Sequence, residues 1–124
     1  MKIMLATFVA LTATTAAHAE RRCGWLSNPA TAKWELYDAQ GGWEIMFRGG
    51  DGHAAQGMDK IPDLTTGEYV RTFAIHGYAC ACLNVDIDTS TTEHIISRIY
   101  SVKQLPLAKC RDDPAVQYFL QNDN

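Results

Sequence analysis

The residues of this chain most able to do chemistry are Cys80 and Cys82, one residue apart in the stretch GYACACLN. Thiolates so spaced could grip zinc or copper(I), or act as a redox pair. Structural zinc sites usually carry two Cys-x-x-Cys knuckles, whereas here a single Cys-x-Cys is joined only by the distant Cys23 and Cys110. A redox pair favours Cys-x-x-Cys at a helix N-terminus, where the dipole lowers the thiol pKa, and this chain has neither feature. Four cysteines in a small exported domain read instead as a disulfide framework.

Within an extended strand the Cα atoms of Cys80 and Cys82 would stand about 6.6 Å apart, at the upper edge of what a bridge accepts. Each is therefore expected to pair with Cys23 or Cys110, and spacing leaves the choice between those two open. The other reactive side chains are scattered. His76 and Asp86 share a strand face but lie ten positions apart, roughly 33 Å at 3.3 Å per residue, far beyond hydrogen-bond reach. Asp86–Ser90 (DIDTS) begins like a calcium loop, yet Thr91 stands where glycine is needed and Ser97 where a bidentate glutamate belongs. No Gly-x-Ser-x-Gly, His-Glu-x-x-His or phosphate loop is present. The expectation is no catalytic set, no metal site and no cofactor.

The start of the chain sets the compartment. Lys2 gives a positive n-region, a short run of apolar and small residues follows, and Ala17-His18-Ala19 has the small-x-small pattern of a signal-peptidase site. The run is too short to span a bilayer, which takes about 20 apolar residues. Residues 1–19 are thus expected to be a cleaved signal peptide, with the mature protein in the periplasm or secreted and not inserted in a membrane. Taking nineteen residues from 124 leaves 105, one domain from Glu20 to Asn124. That domain has ten Lys and Arg against fourteen Asp and Glu, so no basic patch suggests nucleic acid as a partner.

The elements that position the cysteines read as mainly β. WELYDAQGGWEIMF is a hairpin, with Asp38–Gly41 suited to a type I turn followed by a left-handed glycine. From Phe73 a long alternation puts Phe73, Ile75, Ala79, Ala81, Leu83, Val85 and Ile87 on one face, expected to be core, and the cysteines on the other. Cys23 and Cys110 would then cross that second face. A further strand is expected over about His94–Val102. Asp113 is placed as an N-cap with Pro114 first in a short C-terminal helix, its stripe formed by Val116, Phe119 and Leu120. The sum is a single antiparallel β domain of roughly four to six strands, a sandwich or a partly open barrel, stapled by disulfides and ending in a short helix. Gly49–Gly67 shows neither period and reads as a long connection, a length often tied to function.

Arg22-Cys23-Gly24-Trp25, Asn28-Pro29, the Trp34–Trp43 hairpin, the Cys80/Cys82 strand and the late Cys110-Arg111…Asp113-Pro114 together resemble a family of small exported bacterial proteins, domain of unknown function 4087. The resemblance spans nearly the whole mature chain and implies an exported single domain, with no catalytic residues to carry over. The functional expectation is a non-enzymatic binding protein with a protein partner in the envelope, of the inhibitor or immunity type. Its candidate binding loop carries His53, Met58, Asp59, Lys60 and Ile61. The alternatives are a structural envelope component, or a small metal-binding protein or enzyme using His53, His76 and His94.

Overall fold

A computed structural model describes residues 3–7, 9–10 and 19–122. Of the Ala17-His18-Ala19 motif only Ala19 falls within them. β1 (Glu20–Ala30), β2 (Lys33–Asp38) and β3 (Gly41–Phe47) form an antiparallel meander. The tight turn between β2 and β3 ends on Gly41 at φ 119°, the left-handed position expected of that glycine. β1 is a strand that alternation does not reveal. Both of its faces are covered, so neighbours Trp25 and Leu26 are each fully buried, on opposite sides.

The central strand is β6 (His76–Ile87), which pairs along one edge with β1 from Glu20↔Val85 to Asn28↔Gly77. Its other edge is shared by β5 (Val70–Phe73) and β7 (Ile96–Leu105). Closure comes from the segment that follows β3. β4 (His53–Ala54) pairs with β3, Ala55 N–H donates to Ile45 O at 2.9 Å, and Gln56 exchanges backbone bonds with Ser97 and Ile99 on β7. Glu44 N–H also donates to His94 O at 2.9 Å. The seven strands of the described residues thus make a nearly closed barrel rather than a sandwich.

Two cores result from the alternation. Leu26, Leu36, Trp43, Ile45, Ala79, Ala81, Leu83, Val85, Ile96 and Ile99 fill the barrel. Outside it, Trp25 and Cys80 are covered by Leu107 and Cys110 of α1 (Leu107–Arg111), by Val116 just before α2 (Gln117–Asn122) and by Phe119 within it. The 3-10 turn Pro114–Val116 leads into α2, and the Asp113 carboxylate accepts from Ala115 N–H at 3.0 Å, the cap expected there. The cysteine face of β6 is therefore a second interior and not a mainly polar surface. Phe119 stacks on Trp25 and meets Tyr78 edge-on, with ring centroids 5.9 and 5.0 Å apart.

Three further expectations change. The strand expected from Phe73 onward is broken by a hairpin, because Ala74 takes φ 52° and turns β5 back onto β6. Phe73 and Ile75 consequently sit at the hairpin tip, 73% and 68% exposed, and not in the core. Cys23 does not cross the second face either. It lies on β1 directly opposite Cys82 and bridges to it within the sheet, at a Cα separation of 4.0 Å. Only Cys110 crosses over, bonding Cys80 from α1 at a Cα separation of 5.7 Å.

Candidate functional site

The motif Arg22-Cys23-Gly24-Trp25 proves to be a set of joints. The Arg22 guanidinium donates to Asp38 Oδ2 at 2.8 Å and to Glu20 at 2.7 Å, and lies 3.8 Å over the Trp43 ring. Asp38 also accepts from Trp43 Nε1–H at 3.0 Å, so this single buried side chain fixes both partners of that stack. His94 packs flat on Trp43, with centroids 4.1 Å apart. Cys23 anchors β1 to β6, and Trp25 anchors α2.

The three histidines among the described residues stand apart. His53 Nε2 bonds Ile96 O at 2.9 Å, His76 Nδ1 meets Asn28 Oδ1 at 3.2 Å, and His94 is the one on Trp43. Among the described residues no three His, Cys, Asp or Glu side chains stand so as to hold a metal ion.

The Gly49–Gly67 connection is folded rather than structureless. It contains β4 and two 3-10 turns, Met58–Lys60 and Leu64–Thr66. Met58 and Ile61 pack against the barrel core, and His53 is tied to β7, while Asp59 and Lys60 are exposed. Of the five loop residues singled out in the sequence, only those last two are thus fully displayed.

The open surface lies at the next turn of the same connection. Pro62, Asp63, Leu64 and Thr65 form one wall of a cleft of about 380 Å³, and Asn28, Trp34, Tyr69 and Ile75 form the rest. Asp63 caps the second 3-10 turn: its Oδ1 accepts from Thr65 N–H at 3.1 Å and from Thr65 Oγ1 at 2.6 Å. Those two bonds hold the Asp63 carboxyl below its usual pKa. Tyr69 O–H donates to Ile75 O at 2.8 Å, pinning the ring beside the β5–β6 turn. Asn28 Nδ2 donates to Ala30 O and Lys33 O and so sets the β1–β2 turn that carries Trp34 to the cleft. Ile75, from the exposed hairpin tip, lines this cleft, and Phe73 stands two residues before it on the same tip. The Asp-x-Thr capping signal was readable in the sequence, but the exposure of the hairpin tip was not, since Ala74 carries no turn signature.

A second cleft, about 550 Å³, opens on the opposite face of β2 and β3 and is lined by Lys33, Glu44, Arg48, Glu93 and His94 among others. Glu44 lies directly across from Glu35, whose carboxylate takes the Tyr37 hydroxyl and an ion pair from Lys33 at 2.9 Å. Glu44 Oε2 is shut from solvent and meets no donor among the described residues. Burial first, and then the Glu35 charge, raise the Glu44 pKa. The folded state therefore binds this proton more tightly than the unfolded chain does. The resulting stabilisation is complete below the unfolded pKa, near 4.3, and is lost as pH rises through the higher folded value. Glu44→Gln is expected to raise the urea midpoint at pH 7 and to flatten its decline above pH 4, as unfolding curves across that range would show.

The family described as protein of unknown function DUF4087 matches residues 17–117. The chain belongs to that family. No curated protein and no solved structure matches it. Two disulfides fit an oxidising compartment outside the cytoplasm. No helix of the described residues is long and apolar enough to cross a membrane.

Proposed function

We propose that this is an exported binding protein, mature from Glu20, that docks a protein partner of the cell envelope through the tip of its β5–β6 hairpin and acts without catalysis. The observation that carries this reading is the exposure of Phe73 and Ile75, two large apolar side chains two residues apart at the tip of a short, tightly turned hairpin. Such side chains are the usual anchors of an interface when they are clustered and pre-positioned. The disulfide-stapled barrel supports the same reading, since a rigid scaffold lowers the ordering cost of binding. The dispersal of His53, His76 and His94, each engaged with its own neighbour, favours binding over hydrolysis or metal handling.

The test expresses the full chain in a bacterium, recovers it from the periplasm and checks by intact mass that it begins at Glu20. The immobilised protein is then compared with a Phe73→Ser/Ile75→Ser variant for what each retains from envelope extract. The expected result is a partner held by the wild type and lost by the variant, with equal unfolding midpoints, since exposed substitutions of this kind change stability by only about 0.5 kcal/mol. Identical retention by both proteins, or retention of nothing by the wild type, sinks the proposal.

A further inference from the structure

We infer that the cleft beside the hairpin is a pocket for a basic side chain, lysine or arginine, of the docked protein; this rests on the docking reading above and deepens it. The cleft is walled by Trp34, Tyr69 and Leu64 and has one acidic group, Asp63, with no basic residue among its lining. Both bonds that the Asp63 carboxylate accepts go to Oδ1, and Oδ2 has no hydrogen bond or ion pair among the described residues. Arg71 is the cation whose charge reaches Asp63, but its Nη1 donates to Ala74 O at 3.2 Å and it does not line the cleft.

The cleft thus offers aromatic and aliphatic walls for a methylene stem, and a free carboxylate oxygen for a positive head. That combination suits a long cationic side chain, whose stem packs on apolar surface while its charge meets ring faces and carboxylate. Its volume, about 380 Å³, is at the small end of ligand pockets, which begin at about 300 Å³. The pairing of bonds on Oδ1 also favours the ionised form of Asp63, the form that a cation would meet.

The probes are Nα-acetyl-lysinamide and Nα-acetyl-argininamide, with Nα-acetyl-norleucinamide as the uncharged stem, titrated into the isotope-labelled protein. The readout is the Trp34 indole N–H signal, assigned through a Trp34→Phe variant. At least one cationic probe is expected to shift it saturably, and the norleucine compound to bind at least tenfold more weakly. Asp63→Asn, which keeps an oxygen for Thr65, is expected to weaken the cationic probe at least fivefold with an unchanged unfolding midpoint. Phe73→Ser leaves the cleft walls in place and is expected to keep the titration intact while losing the partner, so the two readings fail separately. Equal binding of the norleucine compound, full binding by the Asp63→Asn protein, or no saturable shift with either cation overturns the assignment.

Discussion

Replacing Cys80 and Cys110 together by alanine is expected to lower unfolding stability by about 4 kcal/mol and to release the C-terminal helices from the barrel. The bridge closes a sequence separation of 30, and the chain-entropy account assigns roughly 3.5–4 kcal/mol to a loop of that size. A typical domain has only about 5–15 kcal/mol in all. The second consequence is local. Cys110 sits on a five-residue helix, too short to hold itself, and with Leu107, Val116 and Phe119 it covers Trp25. Chemical denaturation gives the total, and near-ultraviolet circular dichroism reports the loosening of Trp25. The Cys23→Ala/Cys82→Ala protein is expected to lose a similar amount, its separation being 59, but to keep the Trp25 signal, because that bridge lies within a ladder of β1–β6 backbone bonds. Equal loss of the Trp25 signal in both variants would contradict the division of labour between the bridges.

Gly24→Ala is expected to be as damaging for a single methyl group. A Cβ at Gly24 would stand 2.0 Å from Tyr37 O and 2.8 Å from its carbonyl carbon, both backbone atoms of the paired strand. Backbone in a ladder cannot step aside as a side chain can, so β1 and β2 would have to part where Trp25 pairs with Tyr37. The expected loss is about 4 kcal/mol or more, in the range kept for severe packing faults. Gly42→Ala is the control. Its nearest neighbours would be atoms of the Tyr37 ring, the closest 3.1 Å away, so a shift of a few tenths of an ångström accommodates it. A loss below about 1 kcal/mol is expected there. Urea unfolding of the two variants side by side decides the point.

Much of this architecture was legible in residues whose neighbours alternate. Ala79, Ala81, Leu83 and Val85 face the barrel as their period implies, and Asp113-Pro114 opens the last helical segment where capping chemistry puts it. The Asp38–Gly41 turn was legible for the same reason, a local rule with a local cause. What was hidden is tertiary. β1 shows no polar face because the helices cover it, and α1 is recognisable only once Cys110 is seen to need a short platform. The β5–β6 turn escaped notice because Ala74 adopts a left-handed conformation that its side chain does not advertise. The cleft escaped with it: Trp34, Asp63 and Tyr69 come from three separate segments and meet only when the barrel closes.

The pairing of the cysteines has a consequence for how the molecule is made. In chain order the bonds join the first cysteine to the third and the second to the fourth, so they interlace. A chain that emerges N-terminus first and is oxidised as it appears would join Cys23 to Cys80, the next thiol available. That bond is non-native, and it also leaves Cys82 to compete for Cys110. Correct assembly therefore requires either that oxidation wait until β1 has zipped onto β6, or that a mispaired chain be reshuffled through thiolate attack on the wrong bridge. A cell that oxidises this chain before β1 and β6 have paired needs disulfide isomerisation as well as disulfide formation.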